Sequence, residues 1–263
     1  TGLSAGTYTC TITDANNCQI IKTFTITQPT AITATTSQTN VACNGASNGS
    51  ASVTASGGAG GYTYSWSPSG GTAATATGLS AGTYTCTITD ANNCQIIKTF
   101  TITQPTAITA TTSKTNVACN GASNGSASVT ASGGAGGYTY SWAPSGGTAA
   151  TATGLSVGTY TCTITDANNC QIIKTFTITQ PTAITATTSQ TNLACNGASN
   201  GSASVTAAGG AGGYTYSWSP SGGTAATATG LSAGTYTCTI TDANNCQIIK
   251  TFTITQPTAI TAT

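Results

Sequence analysis

The chain is a 76-residue unit written three times over, and that repetition sets the size of anything it can fold into. Residues 30–105, 106–181 and 182–257 align without a gap. They differ in five columns: Gln38/Lys114/Gln190, Val41/Val117/Leu193, Ser56/Ser132/Ala208, Ser67/Ala143/Ser219 and Ala81/Val157/Ala233. Residues 1–29 repeat the end of the unit and residues 258–263 its start. The repeat excludes one continuous 263-residue domain and points to small domains in a row. The expected division is the last two strands of a module at 1–29, complete modules at 30–105, 106–181 and 182–257, and a first-strand stub at 258–263. The chain opens inside one unit and closes inside another, which reads as a window on a longer polypeptide.

A unit of this size buries little and is marginally stable without a staple. Charge is almost absent: five Lys (22, 98, 114, 174 and 250) stand against four Asp (14, 90, 166 and 242), with no Arg, Glu, His or Met. No basic cluster exists to neutralise phosphates, which argues against nucleic acid. No polybasic stretch meets anionic lipid, and no apolar run approaches 18 residues, so no membrane insertion is expected. Without His there is no base for serine or cysteine hydrolysis, so the chain reads as no enzyme and as needing no cofactor. A surface so poor in charge favours self-association. Eleven Cys in an array of small domains point to an oxidising, extracellular compartment.

Within residues 106–181 the alternation of side chains marks the strands. Residues 108–113 alternate. Residues 126–131 put Ala127, Val129 and Ala131 on one side, and residues 138–142 put Tyr138, Tyr140 and Trp142 on one face. Residues 148–153 form one or two short strands. Residues 159–165 turn Tyr160, Cys162 and Ile164 inward and a row of Thr outward. Residues 172–179 carry Phe176 and Ile178 inward, although Lys174 shares their parity, which requires a bulge or a later strand start. Asn-Gly, Gly-Gly and Asp-Ala-Asn-Asn segments supply the turns. No segment has a helical period. The expected fold is all-β: tandem immunoglobulin-like antiparallel β-sandwich modules arranged end to end. Trp66, Trp142 and Trp218 fall where such sandwiches keep a core Trp, and Tyr84, Tyr160 and Tyr236 stand where a tyrosine corner would form. Residues 103–108 join units with no spare length, and Pro105 holds Gln104 extended.

Three Cys per unit allow three single bridges and leave one thiol over. Cys86 and Cys94 flank one hairpin several residue pairs apart and make poor partners. Cys86, Cys162 and Cys238 are either core thiols or, if they face outward, interchain bridges. No metal is expected, because zinc wants four ligands and there is neither His nor a Cys-x-x-Cys pair. Residues 90–93 offer oxygen ligands for calcium, but one carboxylate per unit suits an Asx turn better. Asn48, Asn124 and Asn200 match the glycosylation sequon and equally a glycine turn. The outward Thr rows fit ordinary β propensity, with sugar binding as the sharper reading.

The ordered set Cys-Asn-Gly, Gly-Gly-Tyr-Thr-Tyr-Ser-Trp, Gly-Leu-Ser-Ala-Gly-Thr-Tyr-Thr-Cys-Thr-Ile-Thr-Asp-Ala-Asn-Asn-Cys and Thr-Ile-Thr-Gln-Pro resembles the SprB-type repeat of Bacteroidota cell-surface adhesins, the gliding-motility adhesins among them. The resemblance covers all three complete units. There are departures: Gly60-Gly61 stands in place of a frequent Pro-Pro, Asn92-Asn93 in place of Asn-Gly, and Cys86 in place of Val. The resemblance implies type IX secretion, placement on the bacterial cell surface, and adhesive or filamentous work. It brings no catalytic residues. It also implies the pairing Cys43–Cys94, hence Cys119–Cys170 and Cys195–Cys246, after the two Cys usual in that repeat. The functional expectation is a structural or adhesive extracellular repeat region forming, or projecting as, a fibre. The alternative is a multivalent polysaccharide- or surface-binding array acting by avidity. The expected partners are further copies of itself, a continuing repeat chain, or a surface polysaccharide.

Overall fold

The computed structural model describes residues 2–262; residue 1 of the leading fragment and residue 263 of the trailing stub lie outside the described residues. The chain divides into two compact units. One holds Thr1–Ala107 with Gly133–Ala135, the other Ile108–Ser132 with Gly136–Thr263.

The first unit begins with an antiparallel hairpin of β1 (Gly6–Thr13) and β2 (Gln19–Ile26). The first repeat follows as β3 (Thr33–Thr39), β4 (Gly49–Ser56), β5 (Thr63–Ser67), β6 (Thr75–Leu79), β7 (Gly82–Thr89) and β8 (Gln95–Ile102). Its strands form two sheets, ordered β3-β4-β6 and β5-β7-β8. All pairings are antiparallel, and a bulge at Gly49/Ser50 bends β4. Two three-stranded sheets with this crossover are the A-B-E and C-F-G halves of an immunoglobulin-like sandwich.

The second unit repeats the pattern twice. Its first sandwich comprises β9 (Thr109–Thr115), β10 (Gly125–Ser132), β11 (Thr139–Ala143), β12 (Thr151–Leu155), β13 (Gly158–Thr165) and β14 (Gln171–Ile178). Its second comprises β15 (Thr185–Thr191), β16 (Gly201–Ala208), β17 (Thr215–Ser219), β18 (Thr227–Leu231), β19 (Gly234–Thr241) and β20 (Gln247–Ile254). The sheets are β12-β10-β9 with β11-β13-β14, and β15-β16-β18 with β17-β19-β20.

Period-two alternation builds each core. In β13 the inward residues Tyr160, Cys162 and Ile164 are buried, while the intervening Thr stay partly exposed. Cross-strand register places Trp142 opposite Cys162 and Tyr160 opposite Phe176. Trp142 and Phe176 meet with ring centroids 5.2 Å apart, and the same pair recurs as Trp66–Phe100 and Trp218–Phe252. The Trp142 indole N–H donates to the Ala149 carbonyl at 2.9 Å, so the largest core side chain has no stranded polar atom. Each repeat thus encloses its own core, one of them running from Val117 to Ile178. Lys174 causes no bulge: β13 and β14 pair without a register shift. Lys174 sits half-buried opposite Cys162, consistent with its stem lying on the sheet and its ammonium reaching water.

Glycine is required where the Gly-rich loop of the first repeat meets the incoming chain. Gly57 has φ +76°, and a Cβ there would stand 2.2 Å from the Ala31 carbonyl oxygen.

Candidate functional site at the joint between repeats

The loop after the first strand of each repeat folds down along the end of the last strand. In the second repeat the Val117 N–H donates to the Thr179 carbonyl at 2.9 Å, and the Thr179 N–H to Asn116 Oδ1 at 3.1 Å. Asn120 Nδ2 donates to the Pro181 carbonyl at 3.1 Å, and the Gly121 N–H to Gln180 Oε1 at 2.8 Å. The first and third repeats make the same four bonds through Asn40, Val41, Asn44 and Gly45, and through Asn192, Leu193, Asn196 and Gly197. The sequon residue Asn124 braces this loop, its Oδ1 accepting from the Ala118 N–H at 3.0 Å. Asn48 and Asn200 do the same toward Ala42 and Ala194. Cys119 is thereby fixed at the C-terminal end of β14.

That position overturns the expected cysteine pairing. Cys170 immediately precedes β14, so it and Cys119 lie at opposite ends of an eight-residue strand, roughly 26 Å long at 3.3 Å per residue. A disulfide needs Cα atoms about 4.4–6.8 Å apart. Cys119 instead bonds Cys246 of the third repeat, with Cα atoms 5.6 Å apart and 127 residues between them in sequence. The expected Cys119–Cys170 and Cys195–Cys246 bridges are therefore not formed. Cys43–Cys94 is not formed either, because Cys94, like Cys195, is a free and exposed thiol. Cys43 and Cys170 are themselves in disulfide linkage. The signal that could have found the bridge was topological: the first and last strands of such a sandwich run side by side in the same direction, so the loop after one ends beside the end of the other.

A hairpin presents Cys246 to this joint. Asp242 is buried, and its Oδ1 accepts from the Asn244 and Cys246 N–H groups at 2.9 Å each. Its Oδ2 accepts from the Ala211 N–H at 2.9 Å, tying the hairpin to the Gly-rich loop. The Ala211 N–H is the main cause holding the Asp242 carboxyl below the ordinary carboxylate range; burial opposes it, and the Cys246 and Asn244 N–H groups reinforce it. Asp90 is held down in the same way, first by the Ala59 N–H. In these loops the carboxylate binds backbone amides, as an Asx turn does, and Asn93, Asn169 and Asn245 take positive φ to close it. Among the described residues no group of three or more acidic, His or Cys side chains is placed to hold a metal.

With the hairpin so fixed, Asn244 Nδ2 donates to the Ala118 carbonyl at 2.9 Å beside the disulfide. Cys119, Asn120, Pro181, Ile184, Asp242 and Cys246 contribute to the walls of a cleft of about 420 Å³ at this joint. Its chemistry is that of a clasp: a covalent bond and an amide hydrogen bond beside a cleft with both polar and apolar walls.

The remaining sequence candidates lie elsewhere. Cys86, Cys162 and Cys238 are fully buried, with burial pushing each thiol upward, so the interchain alternative for them is lost. The Tyr84, Tyr160 and Tyr236 hydroxyls each donate to the carbonyl four residues upstream, at Ser80, Ser156 and Ser232, all at 3.2 Å. Trp66, Trp142 and Trp218 are buried. No helix among the described residues is long and apolar enough to cross a membrane.

A protein-family model described as the SprB repeat matches residues 35–71, 111–148 and 187–223. Cys86 and Cys94 fall outside the first of these stretches, as do their counterparts outside the other two. Comparison with curated proteins finds no significant match. Among solved structures, the chain is similar to the N-terminal eight Ig domains of Down Syndrome Cell Adhesion Molecule isoform 1.30.30, at 10% identity and a TM-score of 0.31, covering 96% of this chain and 51% of that one. It thus spans about half of that chain's length. Domains 1–6 of the surface layer protein SbsC are similar at 13% identity and a TM-score of 0.26, with 98% and 46% covered. The complex of Dpr2 Ig1–Ig2 with DIP-Theta Ig1–Ig3 is similar at 10% identity and a TM-score of 0.27, with 87% and 99% covered. Three matches, one in each 76-residue unit and in the same phase, identify the chain as a carrier of tandem SprB repeats.

Proposed function

We propose that this chain is a load-bearing spacer: a non-catalytic stretch of an extracellular protein on a bacterial surface, built to extend as a fibre. Its modules would be residues 30–105, 106–181 and 182–257. The observation that carries this reading is the Cys119–Cys246 bridge, which crosses from one repeat to the next rather than closing within one. An intramodule staple protects only its own domain, whereas a bridge across a joint fixes the joint and takes the intervening residues out of the line of pull. Persistence of such a bridge suits an oxidising compartment outside the cell. The SprB matches and the low-charge, hydroxyl-rich surface fit the same setting.

Single-molecule pulling tests it. With the bridge intact, the 127-residue span between Cys119 and Cys246 contributes almost nothing to the extended length. Reduction opens the disulfides and lengthens the pulled chain; the 127-residue span by itself is roughly 420–460 Å long at 3.3–3.6 Å per residue. Equal extended lengths before and after reduction would remove the mechanical reading. Immunogold labelling of intact cells tests the location, with label along surface threads as the expected result. Glycan-array binding by the chain would favour the polysaccharide-binding alternative.

A further inference from the structure

Each repeat takes up tension at one strand and passes it on at another, and those two strands lie side by side. In the second repeat a pull along the chain enters at residues 106–108, which lead into β9, and leaves at residues 179–181, which follow β14. β9 is an edge of one sheet and β14 an edge of the other. Hydrogen bonds close the seam between them. The Lys114 ammonium donates to the Thr177 carbonyl, the Val117 N–H to the Thr179 carbonyl and the Thr179 N–H to Asn116 Oδ1. The Gly121 N–H reaches Gln180 Oε1, and Asn120 Nδ2 reaches the Pro181 carbonyl. Residue numbers rise together on both sides, from 114 against 177 to 120 against 181, so the two strands run parallel.

That direction decides how the seam meets a load. A pull that drags β9 one way and β14 the other acts along both strands and across these bonds, which lie between the strands. The bonds are loaded together and yield together, whereas a sideways pull opens them one at a time.

Two of the five columns in which the repeats differ fall on this seam. Lys114 stands where the other repeats have Gln38 and Gln190, whose Nε2 atoms donate to the Thr101 and Thr253 carbonyls at 2.9 and 2.8 Å. The side chain changes and the bond to the last strand stays. Val41, Val117 and Leu193 form the other column, and all three are buried behind their own N–H bonds to the last strand. In the second repeat Lys114 lines a groove of about 280 Å³ together with Thr112, Ser113, Thr175, Phe176 and Thr177, and its ammonium spans from one strand to the other.

We propose that the seam is a shear lock, which holds a repeat closed under axial pull once the bridge across its joint is open. In the bridged chain the load runs along β9, crosses from Cys119 to Cys246 and leaves along β20, which begins directly after Cys246. The seams of the second and third repeats are then bypassed. Reduction of the bridge puts both in the line of pull, so the lock is a second resistance behind the disulfide. The inference deepens the spacer reading and takes its purpose from it. Opening under force is set by the unfolding rate, and bonds that yield together keep that rate low.

The test holds single full chains at constant force in excess dithiothreitol. Three unfolding steps are expected, each releasing a 76-residue repeat, about 250–270 Å at 3.3–3.6 Å per residue. Lys114→Ala and Asn116→Ala should each speed one step in three about fivefold, the worth of one hydrogen bond. Lys114→Gln should restore the parent rate. Gln171→Ala removes an exposed bond to Thr165 Oγ1 outside the seam and should leave all three steps unchanged. Handles at Thr111 and Thr177, which draw the strands apart sideways, should open the second repeat at a lower force than handles at Thr106 and Thr182. If Asn116→Ala does not fold, the exposed Lys114 carries the comparison alone. Rates unmoved by Lys114→Ala, an equal gain from Gln171→Ala, equal forces in the two directions, or a reduced chain that lengthens without steps would each overturn the proposal. Equal extended lengths before and after reduction would instead count against the bypass by the disulfide, and the rates of the steps would still judge the lock.

Discussion

Replacing Cys246 with Ser tests how the joint clasp distributes stability. Cys119 and Cys246 are both half-buried, so the substitution itself removes little packing and the lost bond dominates. With the second repeat folded, unfolding the third against an intact bridge leaves a closed loop of about 65 residues, from the 181/182 junction to Cys246. The chain-entropy relation values that constraint at about 4 kcal/mol. Unfolding both repeats closes a loop across the 127-residue separation, worth about 5 kcal/mol in all. Most of the stabilisation therefore opposes opening of the first repeat, whichever that is, and the second then follows at little further cost. In the parent chain the second and third repeats should unfold together. In the Cys246→Ser chain they should unfold separately, at a guanidinium midpoint lower by about 2 M for a slope near 2 kcal/mol/M. Intrinsic fluorescence reports this well, since Trp142 and Trp218 each sit in one of the two cores. A midpoint shift below about 0.3 M, or an unchanged coupling between the two transitions, would refute the reasoning.

Three further outcomes follow from the repeats themselves. The carboxyls of Asp90 and Asp242 are depressed in the folded state, so their contribution is complete above the ordinary carboxylate pKa and is lost as pH falls through their lowered values. Acid titration of the folded fraction should therefore show a loss of stability below about pH 4 that Asp242→Asn makes shallower in the third repeat. Iodoacetamide near neutral pH should label Cys10, Cys18, Cys94 and Cys195 and spare Cys86, Cys162 and Cys238 until denaturant is added, as read by mass spectrometry. Trp142→Ala should cost about 3–5 kcal/mol and unfold the second repeat in water, seen as loss of half-buried amide protection in that repeat by hydrogen exchange. Full protection there would show that the Trp142–Phe176 contact is not central to the core.

The strands were legible because inward and outward residues alternate at period two with no conflicting signal: Tyr160, Cys162 and Ile164 could only face one way. The tyrosine hydroxyl contacts and the buried Trp residues were legible because they depend on neighbours close in sequence or on strand parity. Lys174 was not, since a long side chain can keep inward parity and still reach solvent at a sheet edge. The clasp was the largest omission, for a physical reason. In a perfectly periodic chain, a contact from Cys119 to its own repeat and a contact to the next repeat leave the same pattern of spacings. Only the side-by-side course of β9 and β14 separates them, and that is a fact of tertiary structure. The carboxylate of Asp242 shows the same limit: its local Asx bonds were readable, but its bond to the Ala211 N–H, 31 residues away, was not.

Peptide mapping of the unreduced chain puts the central claim to the most direct trial. A linked fragment joining Cys119 to Cys246 is the predicted result, and a fragment joining Cys119 to Cys170 would contradict a structure in which the Cys119 bridge spans the boundary between the second and third repeats.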